Sequence, residues 1–116
     1  MKVVFVSAPY SSASPALRED ITRLAESVAL TLWENGIATI CPHLNSGHFS
    51  DHLDSDSVYY RRGYVEIAKR CDAIFVALPS RKAPGVGAET AVVSLRGKPV
   101  FKDTKKCLYW AKKGEK

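Results

Sequence analysis

CDAIFVALPSRKAPGVGAETAVVSLRG, residues 71–97, decides the fold class. Within it AIFVAL, residues 73–78, is a continuous apolar run of strand length, as expected for a strand buried on both faces of a parallel sheet. A loop with two closely spaced glycines, Gly85 and Gly87, follows, and residues 88–96 have the character of a short helix carrying Glu89 in its first turn. Such glycines let backbone approach a ligand and turn sharply into a helix, whose free N–H groups favour an anion. A carboxylate there is kept ionised by the helix dipole, the state a nucleophile needs, although glutamate is also an ordinary residue early in a helix. Without a following Gly-Lys-Ser/Thr, the Gly-x-Gly pair is no Walker phosphate loop.

Working outward, KVVFVS, residues 2–7, reads as a second buried strand. Ser14 suits a helix N-cap and Pro15 the first helical position, which predicts a helix over 15–35. Leu17, Ile21, Leu24, Ala25, Val28 and Leu32 recur along it at helical spacing, and Gly36 ends it. IATIC, 37–41, is a short strand; residues 57–70 repeat apolar positions Tyr60, Tyr64, Ile67 and Ala68 as a helix does; KPVFK, 98–102, is a further strand after Gly97. Alternating strands and helices predict an α/β domain with a mostly parallel sheet and right-handed crossovers. In such sheets ligands sit at the carboxyl ends of the strands, where the strand order reverses. The loops predicted there are 8–14, 42–56 and 79–87.

At 116 residues, 46% hydrophobic, the chain suits one core rather than two. We expect a domain over 1–103 and a basic tail over 104–116. Residues 102–116 hold six lysines against Asp103 and Glu115, which accounts for four of the five net positive charges. A solvated tail is the expectation, with residues 107–110 as a last helical turn or an edge element. With no stripe of basic and aromatic residues through the body, nucleic acid is not an expected partner, and a nucleic-acid-associated protein working through the tail is the weakest of three readings. The apolar runs are too short for a membrane span and the first residues lack a secretory pattern, so a cytoplasmic protein without membrane association is expected. Three widely spaced cysteines, Cys41, Cys71 and Cys107, fit reduced thiols. His43, His48, Asp51, His52 and Asp54 share one polar loop but match no rigid metal-ligand spacing, so no metal is expected.

Several features together resemble the nucleoside 2-deoxyribosyltransferase superfamily, which includes 2′-deoxynucleoside 5′-monophosphate N-glycosidases and small phage and prophage relatives. They are Ser7-Ala8-Pro9-Tyr10 after the first strand, Gly36-Ile37 leading to Cys41-Pro42-His43, Cys71-Asp72 before the third strand, and Gly85-x-Gly87-x-Glu89. In order they cover nearly the whole chain except the tail. The resemblance implies a single-domain, flavodoxin/Rossmann-like sheet of four to five mostly parallel strands flanked by helices. It also implies retaining attack on the glycosidic bond of a nucleoside or nucleoside 5′-monophosphate, with no metal or organic cofactor. Glu89 matches the family nucleophile and Tyr10 the tyrosine that orients it, though an aromatic cap on the sheet end would explain Tyr10 too. Ser7, Pro9, Ser11, His43, Tyr64, Gly85 and Gly87 fall at positions that would line the substrate site. Members commonly associate, so a homo-oligomer is expected, with Trp33, Tyr59 and Tyr60 as interface candidates or core residues.

Two positions depart from the family pattern. Many members carry an aspartate early in the second helix, eight residues before the position of Asp72, to protonate the leaving base; here that residue is Tyr64. In an enzyme the proton would come from elsewhere, for example from Asp51, Asp54 or Asp56 in the long loop, or from Tyr64 itself, and Asp72, at the start of the third strand, reads as structural. Ala83 stands where a polar residue often holds the sugar 5′ end or its phosphate. Ser80, Arg81 and Lys82, or Ser11, Ser12 and Ser14, could hold a phosphate instead. An inactive nucleotide-binding or regulatory protein of the same fold is the alternative reading.

Overall fold

A computed structural model describes residues 1–7, 15–41, 57–77 and 96–114. Four strands are present among them: β1 (Val3–Ser7), β2 (Ala38–Ile40), β3 (Ala73–Val76) and β4 (Val100–Phe101). Three helices accompany them: α1 (Pro15–Glu34), α2 (Ser57–Lys69) and α3 (Thr104–Gly114). The sheet order is β2-β1-β3-β4 and every pair is parallel, with Phe5 opposite Ile40, Ser7 opposite Val76, and Phe75 opposite Phe101. This is a single Rossmann-like α/β domain with the 2-1-3-4 strand order of flavodoxin-type sheets.

Strand side chains alternate between two apolar layers. On one face Val4, Val6, Ala73 and Phe75 pack with Ala25, Val28, Ala29 and Leu32 of α1 and with Cys107 and Ala111 of α3. On the other, Phe5 and Ile74 pack with Tyr64 and Ala68 of α2 and with Cys71. Because both faces are covered, β1 and β3 need no polar alternation, and their apolar runs follow from that burial. The buried positions of α1 follow an i, i+3, i+4, i+7 stripe, while Leu24 lies at its margin, 37% exposed.

The end of α1 is set by Gly36. Ile37 N–H donates to the Leu32 carbonyl at 3.0 Å and Gly36 N–H to the Trp33 carbonyl at 3.1 Å, the two bonds of a Schellman cap. That cap requires a left-handed residue, and Gly36 has φ 79°. The chain then reverses into β2 with Ile37 buried as a plug against the core.

The lysine-rich end differs from the expected tail. Residues 104–114 form α3, with Cys107 fully buried, Ala111 nearly so, and Trp110 packed on Phe101 at 5.2 Å between ring centroids. Lys2 Nζ lies 5.2 Å from the Trp110 ring centroid. The domain therefore extends through α3 because the spacing of Cys107, Leu108 and Ala111 gives the helix an apolar side of its own. The strand expected over 98–102 is confined to Val100–Phe101. Ahead of it, Lys98 Nζ donates to the Lys69 carbonyl at 2.7 Å and to the Cys71 carbonyl, tying the α2–β3 turn to β4. The helix expected over 88–96 lies, apart from Arg96, outside the described residues.

Candidate functional site at the carboxyl edge of the sheet

Parallel pairing brings the carboxyl ends of all four strands to one edge. At its centre Ser7 ends β1 in register with Val76, and Ala77 N–H donates to the Ser7 carbonyl at 2.8 Å, the last rung between the two strands among the described residues. From β1 the order runs to β2 on one side and β3 on the other, so the switch point lies between β1 and β3. Ser7 is the one buried polar residue of the described core, 3% exposed. By strand alternation it shares the α2 face with Phe5.

Tyr64 occupies the same face one step deeper. It is 9% exposed and meets Phe5 edge-on, with centroids 6.3 Å apart and planes at 64°. Helical side chains lean toward their helix's amino end, which for α2 is the end nearer the carboxyl edge of the sheet. Ser7 and Tyr64 thus lie on the same face of the sheet, beside the switch point. The remaining predicted site residues, Pro9, Tyr10, Ser11, His43, Ser80, Arg81, Lys82, Gly85, Gly87 and Glu89, lie outside the described residues, as do Asp51, Asp54, Asp56 and Ala83. The segments bearing them leave the described chain at Ser7, Cys41 and Ala77, all on this edge.

Asp72 is at the opposite edge. Its carboxylate accepts the Val3 N–H at 2.8 Å, and its own N–H donates to the Val3 carbonyl at 2.8 Å. Four strand steps separate Val3 from Ser7, about 13 Å. That distance leaves Asp72 a structural role.

Burial disfavours the thiolate at two of the three cysteines. Cys41, Cys71 and Cys107 are buried and form no disulfide with one another. Burial pushes the Cys71 and Cys107 thiols up to about 11, with Lys98 pulling Cys71 partly back and Asp72 adding to the rise. Both are therefore protonated near neutrality. Among the described residues no group of three or more His, Cys, Asp or Glu could hold a metal ion, and no helix is long and apolar enough to cross a membrane.

Lys98 was not legible as a structural residue, since its partners are backbone carbonyls 27 and 29 residues away. Of α3, the sequence suggested only a last helical turn or an edge element over 107–110. The chain matches no protein-family model and no curated protein.

Proposed function

We propose that the protein is an N-glycosidase or 2-deoxyribosyltransferase acting on nucleosides or nucleoside 5′-monophosphates through a glutamate nucleophile. The observation that carries this reading is the switch point. The segment bearing Tyr10 departs from Ser7 and the segment bearing Glu89 departs from the neighbouring strand beyond Val76, with these two strand ends in register. Tyr10 follows Ser7 by three residues, so the chain can carry its Cα no more than about 10 Å from that point.

In the proposed reaction the Glu89 carboxylate attacks the anomeric carbon. The glycosidic C–N bond breaks, its electron pair leaves with the base, and the base takes a proton from an acid in the site. Water then hydrolyses the glycosyl ester, or a second base displaces Glu89 to give an exchanged nucleoside. Two inversions at one carbon give retention, and the transition state is oxocarbenium-like, which a nearby carboxylate stabilises. Acid assistance to the leaving base contributes about 10²- to 10⁴-fold. Ser80, Arg81 and Lys82 are the candidates for a 5′-phosphate. Three cysteines without a disulfide suit a reducing, cytoplasmic setting. Self-association through the exposed Leu30 and Trp33 of α1 belongs to the same reading.

A second reading is a nucleotide-binding protein without turnover, and the burial of Tyr64 against Phe5 favours it. At the position where a carboxylic acid would protonate the base, this chain has a packed aromatic ring. Incubation with a panel of deoxynucleosides and their monophosphates, with and without an acceptor base, separates the two. Free or exchanged base that disappears in Glu89→Ala is the result expected of the enzyme. No product, with nucleotide bound equally by wild type and Glu89→Ala, would establish the binding protein instead.

A further inference from the structure

Helix α3 presents one outer face of a single chemical kind. Its exposed residues are Lys105, Lys106, Tyr109, Lys112 and Lys113, while Cys107 and Ala111 are buried on the other side. At about 100° per residue these five fall within an arc of about 120°, with Tyr109 in the middle. Tyr109 is 69% exposed. Lys102, also exposed, stands just ahead of the helix. No carboxylate lies within the helix. Asp103 precedes it, and its Oδ1 accepts the Lys105 N–H at 2.8 Å as an N-terminal cap.

We propose that this face binds single-stranded nucleic acid, with the lysines on phosphates and a base stacked on Tyr109. Lys105 and Lys112 are seven residues apart, about 10.5 Å along the helix, as are Lys106 and Lys113. Paired cations therefore bracket an exposed aromatic ring, which is the composition of a backbone-tracking surface with a stacking platform. Stacking requires an unpaired base, which selects single strands over duplex. The other occupants fit less well. The apolar side of α3 is committed to the core, so the helix cannot bury it in a bilayer. A second copy could offer the exposed acids of α1, Glu19, Asp20, Glu26 and Glu34, but lysine is depleted at protein–protein interfaces and Glu19 already pairs with Arg23 at 2.7 Å. This inference does not rest on the glycosidase reading.

The test uses the full chain and a fluorescein-labelled oligothymidylate of about 20 nucleotides, followed by anisotropy across a salt series. Binding is expected to weaken with salt at a log–log slope of roughly −2 to −3.5, as for three to five phosphates on a single strand. Reversal of all four helix lysines to glutamate abolishes it. Tyr109→Ala weakens it by roughly 5- to 100-fold and leaves the slope unchanged. All five side chains are exposed, so far-UV circular dichroism should show the variants folded. Truncation is unsuitable because it removes Cys107 and Ala111 from the core. The proposal is overturned by no binding at about 50 mM salt, or by binding that survives lysine reversal. It is equally overturned if phosphatidylserine vesicles bind as well as the oligonucleotide and Tyr109→Ala changes neither. Self-association that is lost on lysine reversal would assign the face to a second copy and overturn it as well.

Discussion

Asp72 and Val3 hold each other through two hydrogen bonds of 2.8 Å, one to the aspartate side chain and one between backbones. The side-chain bond satisfies an N–H at the amino edge of the central strand, where the pairing of β1 with β3 begins. Asp72→Ala is expected to cost about 1 kcal/mol in urea denaturation, since the bond is charge-assisted but exposed. Any nucleotide turnover should be unaffected, because the change lies across the sheet from Ser7. Loss of turnover at unchanged stability would refute the structural role.

Replacing Gly36 tests the α1 cap. A Cβ there meets nothing within 4 Å, so the penalty of Gly36→Ala is conformational rather than steric. At φ 79° that penalty is about 1 kcal/mol, read as a lower melting temperature. Gly36→Asn, which tolerates the left-handed region better, should recover part of the loss.

Lys98 caps carbonyls at the end of α2 and in the following turn from outside the helix. Lys98→Met keeps much of the stem but removes the ammonium donor. We expect a loss of about 1–2 kcal/mol, with α2 amides near Lys69 exchanging hydrogen faster than those of α1. Uniform exchange across both helices would show that the contact does not stabilise α2 locally.

The buried thiols give stability an alkaline limit. Cys71 and Cys107 are raised from 9.0 to about 11 in the fold, so between those values the unfolded chain loses protons that the folded chain keeps. Their contribution is complete below about pH 9 and is lost as pH rises toward about 11. Urea midpoints across pH 8–10.5 should fall more steeply in wild type than in Cys107→Ala, whatever the variant's absolute stability. Parallel pH profiles would contradict the burial argument.

Tyr64 can be separated into ring and hydroxyl. Tyr64→Ala removes the contact with Phe5 and is expected to cost about 3 kcal/mol. Tyr64→Phe retains the ring and should change stability by no more than about 1 kcal/mol. Under the glycosidase reading with Tyr64 as proton donor, the phenylalanine variant loses kcat and keeps its fold. Unchanged kcat would move the acid to another residue.

How far the sequence could be read depended on whether an element's partners were local. The Schellman end of α1 was legible because Gly36 and the preceding stripe are contiguous. The runs of β1 and β3 were legible because strands buried on both faces carry no polar interruption. The lysine face of α3 was obscured by composition, since six lysines in fifteen residues resemble a tail until Cys107 and Ala111 are placed on one side of a helix. Lys98 was hidden for a different reason, because a backbone carbonyl leaves no residue-type signature. Of the candidate site, Ser7 and Tyr64 are located on one face of the sheet, while Tyr10 and Glu89 lie outside the described residues.

The central position of β1 also governs the order in which the protein can be completed during synthesis. Its partner on one side, β2, pairs Val3 with Ala38, whereas on the other β3 pairs Val4 with Ala73, 69 residues downstream. A nascent chain that has folded β1, α1 and β2 therefore carries an apolar strand with one open hydrogen-bonding side until β3 has left the ribosome. That interval is when the chain is most exposed to strand addition by another molecule.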